Sequence, residues 1–108
     1  MYSREVLDEV VLKSKIESIM LDIIGLKQEN RNIGAKAKVL FCCILDNDLK
    51  AFTCKETERC TYKARVKRDL KTIGYLEKLQ KLNSRLINKH RSKVKALREE
   101  LGALKGAE

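Results

Sequence analysis

Cysteines 42, 43, 54 and 60 fall within nineteen residues and are the side chains best suited to holding a metal. Zinc favours a tetrahedron of nitrogen and sulfur ligands. Cys42 and Cys43 are neighbours, so on a strand they point to opposite faces and only one of them can ligate readily. The candidate zinc set is therefore Cys42, Cys54 and Cys60, provided a hairpin brings its ends together. It lacks the paired C-x-x-C spacing of a strong site. The same thiols serve equally well as small apolar packing residues. Beyond this zinc, no cofactor is expected. His90 is the one histidine, and without neighbouring Cys, Asp or Glu it reads as a core or interface residue. No glycine-rich phosphate loop or nucleophile elbow occurs, and Asp46 and Asp48 have no evident pocket to set them apart as an acid–base pair. An enzyme is not expected.

Charge gives a broader signal. The net charge over 108 residues is +9. Residues 1–54 hold eight basic and eight acidic side chains, whereas residues 55–108 hold sixteen and seven. All of the excess thus lies in the second half. Lys78, Lys81, Arg85 and Lys89 fall within about 80° of one another on a helix, and Arg91 and Lys93 extend the basic surface. Cations repeating along a rigid helix can follow a phosphate backbone. Tyr62 and Tyr75 are the only aromatics in this half, which favours backbone or duplex contact over base stacking.

The elements that position these residues read as mostly α-helical. Proline is absent and glycine occurs five times, too little punctuation for a fold with many turns. Ser3 can cap a first helix carrying Val6, Leu7, Val10 and Val11. Ser14 and Glu17 form a capping-box pattern that starts a second helix or marks a kink. Ile16, Ile19, Met20, Ile23 and Ile24 give that helix its apolar face, and Gly25 suits its end. Residues 27–35 read as a loop. The apolar run from Val39 to Leu45, then Asp46-Asn47-Asp48, then alternation to Cys54, suits a small central β-hairpin or irregular segment holding the cysteines. A short buried helix has the same composition. From Thr61 a long basic amphipathic helix follows. Its apolar arc rotates at Gly74, where the helix either breaks or changes partner. The seam Leu76, Leu79, Leu82, Leu86, Val94, Leu97 and Leu101 resembles a coiled-coil interface. This divides the chain into a small helical and hairpin domain, 1–60, and a helical arm, 61–108, that pairs with a second copy or another chain. No apolar run approaches the 18 residues of a membrane span. No secretory signal is visible, so a cytoplasmic or otherwise reducing compartment is expected.

Leu7-Asp8-Glu9-Val10, the cap at Ser14 with Ile16, Ile19 and Ile23-Ile24, the stretch from Leu26 to Asn32, and Cys42 ten residues before Phe52 together resemble the N-terminal zinc-binding domain of bacterial and phage DNA primases. The resemblance covers residues 4–60. Its ligand motif is incomplete: Leu45 stands at the family's histidine position, and Cys60 is followed by Lys63 where a second cysteine belongs. The resemblance implies a repurposed template-reading module with weakened zinc binding. Residues and resemblance together point to non-enzymatic binding of DNA or RNA through the phosphate backbone, by a dimer or a subunit of a larger assembly. The alternative is a helical adaptor or inhibitor that holds a partner protein through the leucine seam.

Overall fold

The structure, a computed structural model, describes residues 4–106 and holds two helices, α1 (Arg4–Thr53) and α2 (Glu56–Gly106). Cys54 and Lys55 are the whole connection. Ser3, a candidate cap, lies outside the described residues. No strand occurs among the described residues, so neither the central hairpin nor the N-terminal helical pair forms.

The helices are long because each carries one buried side chain every third or fourth residue without interruption. Along α1 the buried or half-buried positions, Gly34 apart, run Glu9, Leu12, Ile16, Ile19, Ile23, Leu26, Asn30, Ile33, Ala37, Leu40, Ile44, Asn47 and Ala51. The spacing alternates strictly between three and four, the heptad pattern of a coiled-coil seam. Along α2 the same alternation runs Tyr62, Val66, Asp69, Ile73, Leu76, Gln80, Asn83, Ile87, His90, Val94, Leu97, Leu101 and Leu104. Burying each Leu, Ile or Val stabilises by about 1.5–3 kcal/mol, which explains how helices with so little other apolar cover persist.

Every local signal read as a break is satisfied within a helix. Ser14 and Glu17 lie in the interior of α1. Asn47 Nδ2 donates to the Cys43 carbonyl at 2.9 Å, and Lys50 pairs with Asp46 at 2.9 Å. The Asp-Asn-Asp triplet is thus held by contacts four residues apart rather than by a turn. Gly25 and Gly74 have no positive φ and open space beside them, so neither ends a helix and α2 runs through Gly74 unbroken. Gly34 is different. A Cβ there would lie 3.4 Å from Gln80 Nε2, and that amide donates to the Asn30 carbonyl at 3.2 Å while Asn30 Nδ2 donates to the Gln80 carbonyl at 3.4 Å. The glycine therefore gives Gln80 room to reach α1.

The chain divides into two compact units. The turn unit, Glu29–Leu82, is an αα-hairpin. The Cys54 amide donates to the Lys50 carbonyl at 2.8 Å, and Arg59 Nε donates to the Ala51 carbonyl at 3.1 Å. These bonds satisfy carbonyls that a helix C-terminus leaves open, and the guanidinium suits the negative end of the α1 dipole. Glu56 and Glu58 sit in the first turn of α2, where carboxylates suit the positive end. The terminal unit combines Met1–Gln28 with Asn83–Glu108. Here Lys105 lies 3.6 Å and Lys13 2.9 Å from Glu9. The Lys13 hydrogen bond, with help from the charge of Lys105, holds the Glu9 carboxyl below its ordinary range.

Continuity through the two open glycines has a measurable consequence. Gly25→Ala and Gly74→Ala should each stabilise the protein by about 0.5–1 kcal/mol in urea unfolding, because alanine is the better helix former and meets no neighbour. Ile73→Ala, which empties a buried seam position, should cost about 2–4 kcal/mol. A glycine ending a helix in the left-handed conformation would give the opposite sign for the first two.

Candidate functional site

The basic surface follows from the heptad. With the buried stripe of α2 facing α1, the opposite side of α2 must face solvent. Lys78, Lys81, Arg85 and Lys89 all stand on that outward side and all are exposed. In the turn unit two further cations, Lys67 and Lys71, stand on the same outward side of α2 as Lys78 and Lys81 and are exposed. The reading of a rotation at Gly74 separated them from the rest. Their signal was the uninterrupted spacing from Tyr62 to Leu104, which aligns residues on either side of Gly74. Lys67, Lys71, Lys78 and Lys81 belong to the turn unit; Arg85 and Lys89 belong to the terminal unit. Among the described residues none of these six makes an ion pair. By contrast, the eight acidic and eight basic side chains of residues 4–53 cancel.

Arg91 and Lys93, also exposed, flank the seam instead of facing away from it. Arg91 borders a groove of about 560 Å³ in the terminal unit. Its floor is apolar, from Met20, Ile23, Ile24 and Val94, and Lys27, Arg91, Lys95 and Arg98 stand around it with Glu99 as the only acid. Arg98 Nη2 reaches Met20 Sδ at 3.7 Å.

The candidate seam divides in two. Leu76 and Val94 are buried, and Leu97 and Leu101 are half-buried, on the stripe that faces α1. Leu79 is half-buried at the edge, whereas Leu82 and Leu86 are exposed. The heptad positions beside them are taken by Gln80, Asn83 and Ile87. The expected seam passed from Leu79 through Leu82 to Leu86 and there left the stripe, which it rejoins at Val94.

Nor does the structure assemble the cysteines. Cys42, Cys43 and Cys60 are exposed, Cys54 is half-buried, and all four are free thiols. Cys54 Sγ lies 3.6 Å from the Ala51 carbonyl. Among the described residues no three His, Cys, Asp or Glu side chains are grouped to hold a metal. The convergence of Cys42, Cys54 and Cys60 depended on the hairpin, and with residues 39–53 helical it is lost.

Of two polar seam residues, His90 was expected as a core or interface residue and Asp69 was missed. Asp69 is 5% exposed, with Arg68 Nε at 3.4 Å from its carboxylate. The spacing Tyr62, Val66, Asp69, Ile73 would have placed it. His90 is half-buried on the stripe, and its Nδ1 is buried with no hydrogen-bond partner. No helix is long and apolar enough to cross a membrane among the described residues. No family model, curated protein or solved structure matches the chain.

A buried nitrogen without a partner carries an uncompensated desolvation cost of about 1–3 kcal/mol. His90→Leu should therefore raise the thermal midpoint and the urea midpoint at neutral pH. His90→Ala, which also removes packing, should lower them.

Proposed function

We propose that this protein binds DNA or RNA without catalysis, as a two-helix scaffold whose α2 holds a line of cations against the phosphate backbone. The observation that carries this reading is the outward side of α2: Lys67, Lys71, Lys78, Lys81, Arg85 and Lys89 are exposed and unpaired with carboxylates, while the net charge of α1 is zero. Phosphate neutralisation by such a line releases condensed counterions and needs no pocket. Few aromatics are present for stacking, so contact is to backbone and sequence readout is slight. Four free thiols, three of them exposed, fit a reducing intracellular compartment.

A second reading, a helical adaptor for a protein partner, draws on the apolar side chains that α1 leaves exposed in the turn unit. Phe41, Leu45, Leu49 and Phe52 recur at three or four residues, and Phe52 is 84% exposed. Salt separates the two readings. Backbone binding weakens steeply as counterions compete, whereas apolar docking does not.

Changing Lys78, Lys81, Arg85 and Lys89 together to Glu should weaken binding to duplexes of unrelated sequence by similar factors. Each cation removed should lower the slope of log affinity against log salt by about one unit. Circular dichroism should show the helices retained, because Glu and Lys have similar helix propensity. If the wild-type protein binds neither DNA nor RNA at low salt, the adaptor reading replaces this one.

A further inference from the structure

Beside its buried stripe, α1 carries a second line of side chains in the terminal unit: Val6, Val10, Lys13, Glu17, Met20 and Ile24. All six are exposed. Their spacing alternates between four and three, so they lie in one row along the helix. The row reads the same from either end in spacing and in character: two apolar residues, two charged, two apolar. Only the sign of the charge changes, and that makes the row complementary to itself. When two such helices lie antiparallel about a two-fold axis midway between Lys13 and Glu17, Val6 meets Ile24, Val10 meets Met20, and Lys13 meets Glu17, each contact occurring twice.

We infer that a second copy of this chain docks here, α1 against α1 and antiparallel, to form a two-fold dimer. The groove beside Met20 and Ile24 agrees with that occupant. The row brings the partner's first two turns, where Glu5, Asp8 and Glu9 outnumber Arg4, towards the groove's cationic border at Arg91, Lys95 and Arg98. Charge selects the face as well. Residues 83–106 contribute seven cations and two carboxylates, whereas residues 4–28 contribute four and five. Copies of a protein with net charge +9 repel one another. Contact through the slightly acidic half of α1 lessens that repulsion. The arrangement leaves the outward side of α2 free in both copies.

Light scattering and sedimentation on the full chain test this. The wild type should dimerise with a concentration-dependent mass. Lys13→Glu and Glu17→Lys should each raise the dissociation constant at least about tenfold, because each puts two like-charged pairs on the axis. The double variant restores both pairs across the axis, at the loss of the Lys13–Glu9 pair within each copy, and should recover most of the affinity that either single variant loses. An equimolar mixture of the two single variants should form a mixed dimer more tightly than either alone, a result that loss of folding cannot imitate. Val10→Asn should also weaken the dimer, while Val39→Asn, equally exposed but in the turn unit, should not. A wild type that stays monomeric at every concentration overturns the inference. So does a dimer indifferent to both charge reversals, or single variants that the double does not rescue.

Discussion

A helix with a single neighbour can bury only one stripe, and everything else in this protein follows from how that stripe is filled. Helix formation is cooperative but weak without tertiary contact. Each half of α1 and α2 therefore depends on the seam within its unit for the apolar burial that keeps it helical. The seam does not accept every residue at equal cost. Asn30 and Gln80 exchange side-chain to main-chain hydrogen bonds, and Asp69 and Asn83 are also buried. Polar seam positions sacrifice stability, but they discriminate between registers that an all-leucine seam would leave nearly equivalent. A heptad repeat fits its partner again after every seven residues, and the Asn30–Gln80 pair breaks that degeneracy.

The helical period of α2 was legible, the architecture of α1 was not, and the errors have a common cause. The helical period after Thr61 was plain because its apolar residues are leucine and isoleucine on a polar background. In α1 the same period was present but masked. Val39, Phe41, Cys42, Cys43 and Leu45 surround the seam residues Leu40 and Ile44 with exposed apolar side chains, so the stretch looked like a strand. Ser14, Gly25 and the Asp-Asn-Asp triplet each carry a local preference for a helix end, worth about 1 kcal/mol or less. Several buried seam residues on either side outweigh such a preference. The absence of proline was the more decisive sign, since proline alone removes a backbone donor and clashes with the preceding turn.

The candidate basic surface was legible for a related reason. No lysine or arginine occupies the seam, so the direction of the cations can be inferred once the period is known. Lys67 and Lys71 joined it only when α2 proved continuous through Gly74. The cysteine site was not legible, because metal geometry depends on where the chain turns. The turn falls at Cys54 and Lys55, not at residues 46–48, and that displacement leaves Cys42 and Cys43 exposed on a helix.

The terminal unit is assembled from two stretches separated by the entire turn unit. A ribosome delivers the first of those stretches well before the second. Leu12, Ile16 and Ile19 emerge before the turn unit and find their α2 partners only after residues 83–104 are made, whereas the hairpin between them can close earlier from contiguous chain. Through that interval the first half of α1 is an amphipathic segment with an unclaimed apolar flank, the state in which nascent chains recruit chaperones or pair with one another. A protease that cut after Leu82 and so released residues 83–104 would strand the stretch of α1 before Glu29 permanently in that condition while sparing the hairpin.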